Sequence, residues 1–392
     1  MKMEKETKYS LLELTLYFLK LGTTGFGGPV ALVGYMHKDL VENRKWISEE
    51  EYKQGLALAQ LAPGPLAAQL GIYLGFVHYR VLGATLIGIA FVIPSFIMVV
   101  LLGILYKIYG GLDWMQAVFY GVGACVIGII AMSSYKLTTK TIGKFNLDSF
   151  KKNWLLWLYF IVAAIITYIT KQEQIILFLG AGILYMFIKA PPQWLNRTTA
   201  NTLLIFQLGF WNLETTTLGK IAVFFTKAGA FVFGSGLAIV PFLHAGVVTE
   251  NHWLTEQQFL DAVAVAMITP GPVVITVGFI GFLVAGFSGA CVAAAATFFP
   301  CYIFTVVPAP YFSKIAKNES IKTFVDGITA AVIGALVGAV FVIGSQSIKD
   351  IPTAIIAIAT VLVLIYIKKI QEPYIILIAA VIGLILKSLI HI

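Results

Sequence analysis

The chain of 392 residues is 59% hydrophobic and only 12% charged, and its mean hydropathy is +0.89. Soluble domains carry about twice that charge, roughly 25%, so the composition excludes an ordinary soluble protein. The net charge of +8 would suit a nucleic-acid binder, but the lysines cluster in short loops between apolar runs, as in the cytoplasmic loops of membrane proteins. We therefore expect a membrane protein in contact with the lipid bilayer and no nucleic-acid partner.

Apolar runs of about 20 residues, the length that crosses a bilayer as a helix, recur along the chain. They lack the strict alternation of a barrel, the other structure that lipid accepts. The sequence predicts an all-α polytopic membrane protein with about 10–14 transmembrane segments, some of them broken or re-entrant. The charged N-terminus has no cleavage site after its apolar run, so we expect it to be retained. Three cysteines in apolar segments predict no disulfide, metal site or cofactor.

Two parts of the chain are related by a fixed offset of 207 residues. Phe26 matches Phe233, since 233 − 26 = 207, and Pro63 matches Pro270, since 270 − 63 = 207. Polar as well as apolar residues match at this offset, which argues against chance. The matched pairs are Lys20 with Lys227, Phe26-Gly27 with Phe233-Gly234, His37 with His244, and Pro63-Gly64-Pro65 with Pro270-Gly271-Pro272. We predict a first repeat at residues 1–190, a linker at 191–217 and a second repeat at 218–392.

The lysine-rich loops fall after different apolar segments in the two repeats. In the first repeat they follow the fourth segment, between Lys136 and Lys152, whereas in the second they follow the third and fifth segments. A shift by one crossing predicts repeats of inverted topology, which are typical of secondary transporters. Inversion requires an odd number of crossings before the second repeat, so either the first segment folds back or the linker crosses. The chain is also a candidate for homodimer formation.

Proline and glycine interrupt the apolar segments twice in each repeat. In lipid a broken helix is accepted only where protein or a watery cavity satisfies the freed backbone groups. Pro65 and Pro272 are placed to begin new half-helices, whose N–H groups bind oxyanions. Gly27 and Gly28 would let an anion approach the backbone. The predicted substrate-binding breaks are Phe26, Gly27, Gly28 and Pro29, Pro63, Gly64 and Pro65, Gly234 and Ser235, and Pro270, Gly271 and Pro272.

A few polar side chains close to these breaks are further candidates. Lys20 and Lys227 each precede a glycine in an apolar helix, where a lysine either reaches the interface or faces a cavity; we expect them to contact an anion. Gln69 lies one turn past the first Pro-Gly-Pro sequence and could donate hydrogen bonds to a ligand. His37 and His244 could titrate during proton coupling, or they could sit at helix ends.

The motifs "FGGP" and "LAPGP" resemble those of the chromate ion transporter family in its long form with two fused halves. The stretches "LVENRKWISEEEY" and "GATLIGIAFVIP" are also similar to that family, and "NHWLTEQQFLDAVAVAMITPGP" repeats the pattern more weakly. The resemblance covers roughly residues 10–345. It implies a multi-pass transporter of the cytoplasmic (plasma) membrane that expels chromate, driven by the proton gradient, with sulfate as a competitor. "FGSG" replaces "FGGP" in the second repeat.

The sequence thus predicts a secondary active transporter that exports a tetrahedral divalent oxyanion, chromate. A transporter of sulfate or another small anion is one alternative, and a passive anion channel is another. No nucleotide-binding loop is present to supply ATP energy. We do not expect an enzyme, because no catalytic constellation recurs in the apolar segments.

Overall fold

A computed structural model gives the fold of the chain. The structure describes residues 9–26, 28–172, 174–191, 216–232, 236–312, 318–348, 350–367 and 370–390. The predicted site residues Gly27, Gly234 and Ser235, and most of the predicted linker, lie outside these ranges.

The first apolar segment folds back on itself. Helix α1 (Leu11–Thr24) begins at a capping box formed by Ser10 and Glu13. Helix α2 (Gly28–Met36) continues as a π-helix over His37–Asn43. The Tyr17 hydroxyl donates to the Tyr35 carbonyl at 3.4 Å, and the Tyr9 and Trp46 rings stack at 5.0 Å. The first segment therefore reverses, which confirms one of the two alternatives; we call residues 9–46 the N-hairpin of the first repeat.

A second reversal follows at the Pro-Gly-Pro sequence. Helix α3 (Glu49–Leu61) ends before the break, and helix α4 (Leu66–Tyr109) begins after it. The two helices face each other across the break, because the Gln54 amide oxygen accepts from the Tyr73 hydroxyl at 3.5 Å and Glu51 pairs with His78 at 3.5 Å. We call residues 49–79 the PGP hairpin of the first repeat.

Helix α4 is itself two helices. Arg80 has a left-handed φ of 52°, and beyond it the chain turns back so that a Cβ atom on Gly75 would lie 2.6 Å from the Gly83 carbonyl oxygen. Residues 66–79, called α4a, rise about 21 Å at 1.5 Å per residue, roughly half of a bilayer with its headgroups. Residues 81–109, called α4b, rise about 43 Å and are long enough to cross it.

The remaining helices of the first repeat are shorter or lie outside the hairpins. Helix α5 spans Asp113–Thr141, and a short polar helix, α6, spans Leu147–Lys152. Two apolar helices follow, α7 at Trp154–Thr170 and α8 at Ile175–Lys189.

The second repeat contains the same two hairpins. Its N-hairpin comprises α9 (Thr217–Ala230), a 3-10 turn at Gly236–Ile239, α10 (Val240–His244) and a π-helix at Ala245–Glu250. Its PGP hairpin comprises α11 (Glu256–Ile268), a 3-10 turn at Val273–Ile275 and the first part of α12 (Thr276–Val306). Helix α12 turns at Gly286, with a φ of 63°. Since 286 − 206 = 80, this turn matches the one at Arg80.

The last three helices of the chain pack against helices of the first repeat. They are α13 (Glu319–Ser347), α14 (Ile351–Tyr366) and α15 (Glu372–Ile390). Helix α13 packs against α7 and α8, and α5 packs against α14 and α15. The contacts are close: a Cβ atom on Gly128 of α5 would lie 2.7 Å from the Ala357 carbonyl oxygen in α14. The long helix that follows the hairpins in each repeat is thus covered by the last two helices of the other.

The two repeats run in opposite directions. Thr85, near the start of α4b, bonds to Tyr302, near the end of α12, at 2.8 Å between hydroxyl oxygens. Near the other end of α4b, a Cβ atom on Gly103 would lie 2.7 Å from the ring of Phe282, which precedes the turn in α12. The PGP hairpins therefore enter from opposite faces, and the predicted inverted topology is confirmed.

The described helices fit a membrane protein. Four helical stretches are long and apolar enough to cross a bilayer: Leu66–Tyr109, Asp113–Thr141, Val273–Tyr311 and Glu319–Ser347. Many large apolar side chains on the outside are exposed, among them Ile89 and Ile97 of α4b, as expected for surfaces that face lipid. The total number of crossings stays a prediction.

Candidate functional site

The tips of the hairpins meet between the two repeats. The Gly64 N–H, at the tip of the first PGP hairpin, donates to the Val232 carbonyl in the second N-hairpin at 2.6 Å. In the matching bond, the Gly271 N–H donates to the Gly25 carbonyl at 2.9 Å. Since 64 + 207 = 271 and 25 + 207 = 232, the two bonds are equivalent. Each Pro-Gly-Pro break is thus brought into contact with the N-hairpin of the opposite repeat, beside the break in that hairpin.

Glycine at each PGP tip is required by the backbone and by the packing. Gly64 has a φ of 143° and Gly271 a φ of 98°, in the region that favours glycine. A Cβ atom on Gly64 would lie 3.1 Å from the Cys301 Cβ, and one on Gly271 would lie 3.2 Å from the Ser95 Cβ. Each tip therefore rests on a small side chain from the crossing helix of the opposite repeat.

Gln69 holds the tip of the first PGP hairpin. Its side chain is fully buried, and its amide nitrogen donates to the Pro63 carbonyl at 2.9 Å. Its Oε1 atom has no hydrogen-bond partner among the described residues. The matching residue, Thr276, instead donates its hydroxyl to the Val273 carbonyl at 2.8 Å. A buried acceptor without a donor is costly, so this oxygen marks a polar position at the tip that a donor such as a water molecule can satisfy. An oxyanion, which only accepts hydrogen bonds, cannot satisfy it.

A new helix begins immediately after the first PGP tip. The helix begins at Leu66, so Pro65 is its N-cap, one position before the first helical position predicted from the sequence, and no side chain caps this end. The buried residues of the first turn, Leu66, Ala67 and Ala68, therefore present amide groups toward the tip. Pro272 likewise precedes a helical segment, but there the first turn is a 3-10 turn. An uncapped helix N-terminus carries about half a positive charge and suits an anion.

The two halves of the tip region differ in exposure. Phe26, Gly28 and Pro29 in the first N-hairpin are half-buried, as is Pro63 in the first PGP hairpin, whereas residues 269–275 of the second PGP hairpin are buried. Gly28 has a φ of 73° and begins α2, with Pro29 in its first turn. The breaks of the first repeat are thus more exposed than the Pro-Gly-Pro break of the second repeat.

The two predicted lysines lie away from the helix-packing faces. Lys20 is exposed on α1, on the side opposite Phe18 and Leu21, which pack in the core. Lys227 lines a cleft of about 350 Å³ in the second N-hairpin, together with Lys220, Glu250 and Asn251. The lining of this cleft thus combines two ammonium groups, two helical turns apart on one face of α9, with the Glu250 carboxylate.

The two histidines make equivalent contacts with glutamates at the bases of the hairpins. His37 pairs with Glu49 at 2.9 Å, and His244 pairs with Glu256 at 2.7 Å. Both glutamates lie in the first turn of a PGP hairpin, so each pair joins the two hairpins of one repeat. The hydrogen bond from His37, with a smaller effect from Lys53, lowers the pKa of Glu49 below its ordinary value. A role of these histidines in proton coupling stays a prediction.

The match to known proteins covers both repeats. A model of the family described as "Chromate transporter" matches residues 12–186 and again residues 219–384. The chain belongs to the chromate transporter family. It is 61% identical to the chromate transport protein of Cupriavidus metallidurans, over 98% of this chain and 95% of that protein.

Two further relatives of the chromate transporter family carry similar names. The chain is 59% identical to the probable chromate transport protein of Synechococcus elongatus, over 97% of this chain and 96% of that protein. It is 29% identical to the chromate transport protein of Pseudomonas aeruginosa, over 83% of this chain and 79% of that protein. No solved structure is significantly similar to the chain.

Several residues at the tips were not predicted from the sequence. Gly25 and Val232 supply the carbonyl groups that bind the opposite tips, and Ser95 and Cys301 support them. The repeat offset contained a signal for the second pair, since 301 − 206 = 95 and both side chains are small. No cluster of side chains that could hold a metal ion occurs among the described residues.

Proposed function

We propose that the chain is a secondary active transporter that exports chromate across the cytoplasmic membrane, driven by the proton gradient. The observation that carries the proposal is that the Pro-Gly-Pro tip of each repeat bonds to the N-hairpin of the other, next to the uncapped N-terminus of α4. In inverted-repeat transporters, half-helix N-termini hold anionic groups near the middle of the membrane. Membership of the chromate transporter family supports chromate as the substrate.

In this proposal the substrate contacts are mostly backbone groups. The amides of residues 66–68 donate to the oxyanion, and Gly27 and Gly28, which have no side chain, let it approach the backbone. Gly64 and Gly271 hold the two tips in place against the opposite repeat. Phe26, Pro29 and Pro63 line the half-buried side of the site, and the Gln69 amide lies beneath. The second repeat contributes weaker substrate contacts, from Gly234, Ser235, Pro270 and Pro272. Lys20 and Lys227 raise the local concentration of the dianion at the two entrances.

Sulfate has the same shape and charge as chromate, so we propose it as a competitor rather than as the preferred substrate. The chain acts as two repeats, at residues 1–190 and 218–392, that share one site between them. Dimer formation would add no residue to this site. We propose no catalytic step.

A passive anion channel is the rival to be tested. Liposomes that contain the purified protein are prepared with labelled chromate at equal concentration inside and outside. A pH gradient is then imposed across the membrane. We expect net accumulation on the acidic side to exceed that of empty liposomes, because an exporter driven by proton entry moves the anion against the proton flow. Relaxation to equal concentrations under every gradient would establish a channel and contradict the proposal.

Direction and substrate are tested in membrane vesicles of defined orientation. We expect inside-out vesicles to accumulate chromate and unlabelled sulfate to inhibit the uptake. Uptake of labelled sulfate that exceeds uptake of chromate at equal concentration would assign the transporter to sulfate instead.

A further inference from the structure

A buried carboxylic acid lies inside the second PGP hairpin. Asp261, in the second turn of α11, is 2% exposed. Its carboxylate accepts a hydrogen bond from the Tyr106 hydroxyl at 2.7 Å and another from the Gln257 amide nitrogen at 2.9 Å. No ion pair to Asp261 is found among the described residues. A buried carboxylate without a cation is expensive, and in a membrane protein such a residue marks a functional site.

The Tyr106 bond joins the two repeats. Tyr106 lies near the end of α4b of the first repeat, and its ring also packs against Phe279 of the second PGP hairpin, with ring centres 5.5 Å apart. A cavity of about 230 Å³ adjoins this ring and is lined on the hairpin side by Ala264, Val265 and Ile268. The ring therefore has space into which it can move when its bond to the carboxylate changes.

The repeats are not equivalent at this position. Since 261 − 207 = 54, Asp261 matches Gln54, an amide that cannot titrate. Gln54 accepts from Tyr73 of its own hairpin at 3.5 Å rather than from the other repeat. An ionisable contact between the repeats therefore occurs at Asp261 in the second repeat but not at Gln54 in the first.

Other ionisable groups on the helices around α11 have partners or neighbours of their own. Glu372 of α15 lies near Cys125 and Lys136 of α5, Asp326 of α13 lies near Lys322 and Glu319, and Glu256 at the start of α11 pairs with His244. Among the described residues, Tyr106 of α4b is thus the titratable group that bonds to Asp261 across the packing.

We propose that Asp261 binds and releases the proton that drives transport, and that its protonation state sets the contact between Tyr106 and the second PGP hairpin. This inference rests on the proposed proton-driven export. An ionised carboxylate accepts a strong, charge-assisted bond from Tyr106, whereas the neutral acid holds it less tightly. Proton binding would thus release the hairpin from α4b, and with it the tip at Gly271.

The test separates proton coupling from substrate movement. Asp261→Asn protein in liposomes is compared with wild type in chromate accumulation driven by a pH gradient, and in exchange of labelled for unlabelled chromate at equal pH. We expect accumulation to fall at least tenfold while exchange stays within twofold of wild type. Gln54→Asn, at the matched position, and Asp148→Asn, an exposed carboxylate of α6, are controls that should retain both activities.

Two outcomes would overturn the inference. Gradient-driven accumulation by Asp261→Asn at the wild-type level would remove the proton role. Loss of exchange together with accumulation, in protein of normal thermal stability, would assign Asp261 to the substrate path. If wild type itself ignores the pH gradient, the proposed coupling fails as a whole, and that result is read from the wild-type arm alone.

Tyr106→Phe tests the positioning role of the tyrosine. The carboxylate loses a donor that favours its ionised form, so the pH at which the accumulation rate is half-maximal should move upward. An unchanged pH profile would exclude Tyr106 from the device. Asp261→Glu keeps the acid and should restore part of the coupling that Asp261→Asn loses.

Discussion

Gly64 and Gly271 have backbone angles that other residues rarely adopt, and both lie where the repeats touch. Pairs of residues at the two tips thus perform equivalent structural tasks, while Gln69 and Thr276 differ in their chemistry. The tip of the first repeat has the uncapped α-helix and the unpaired amide oxygen. We therefore expect substitutions in the first repeat to impair transport more than matched substitutions in the second.

Gly64→Ala should lower the rate of chromate transport about tenfold. The new methyl group would lie 2.8 Å from the Gln69 side chain, and the left-handed backbone adds strain of about 1–3 kcal/mol, where 1.4 kcal/mol corresponds to a factor of ten. Initial rates in inside-out vesicles at equal protein level measure the effect. Gly34→Ala in α2 is the matched control, because no atom lies within 4 Å of its new methyl group. Equal rates for the two variants would contradict a role of the tip.

Lys20→Ala and Lys227→Ala should raise the KM for chromate several-fold and leave the maximal rate unchanged. The lysines act at a distance on a dianion, and this attraction is screened as the Debye length falls from about 10 Å at 0.1 M salt to about 3 Å at 1 M. The difference from wild type should therefore shrink in high salt. Lys152→Ala, an exposed lysine of α6, should have no effect. A KM that stays at the wild-type value at low salt would return both lysines to a role at the membrane interface.

At the scale of the helices, the sequence predicts where the chain breaks but not how it continues. The Pro-Gly-Pro sequences and the "FGGP" motif locate the breaks, since proline removes a donor and glycine adds freedom. A break of this kind is compatible with a kink or with a full reversal, and the contacts that decide between them, such as Tyr9 with Trp46, are distant in sequence. The turn at Arg80 could not be predicted because arginine rarely adopts a positive φ. Asp261 matches a glutamine, so comparison of the repeats does not reveal it.

Gly75→Leu should destabilise the turn between α4a and α4b. Its Cβ atom would lie 2.6 Å from the carbonyl oxygen of Gly83, which is backbone and cannot move aside. Overpacking of this kind costs about 1–3 kcal/mol or more, so Tm in detergent should fall by roughly 5 °C. Gly180→Leu, on an open face of α8, should melt like wild type. A normal Tm for Gly75→Leu would mean that the two helices are not in contact.

Contacts between the repeats hold the whole molecule together. They occur at the hairpin tips and where the last two helices of each repeat pack against the long helix of the other. A movement that separated the repeats as rigid halves would break the contacts of α13 with α7 and α8. The inverted arrangement followed from the distribution of lysines, whereas the exchange of helices had no signal in the sequence, because it depends on which glycine faces meet in space.

Gly64→Cys should form a disulfide with the native Cys301 and link the repeats. The new Cβ atom would lie 3.1 Å from the Cys301 Cβ, and disulfides need about 3.5–4.5 Å, a difference of a few tenths of an ångström. With Cys125 and Cys291 replaced by serine, cleavage at a protease site inserted between the repeats should leave one band without reductant and two bands with it. Gly34→Cys should give two bands in both conditions. Two bands from oxidised Gly64→Cys would contradict the meeting of the tips.

The close packing of Gly128 in α5 against α14 has a consequence for the order of biosynthesis. The partner residue Thr360 is made 232 residues later, since 360 − 128 = 232. At about 5–20 residues per second, the ribosome needs on the order of 10–50 s to reach it. During that interval the glycine groove of the newly inserted α5 must be filled by lipid tails or by the insertion machinery. Maturation of this protein is therefore completed only after translation of its final helices.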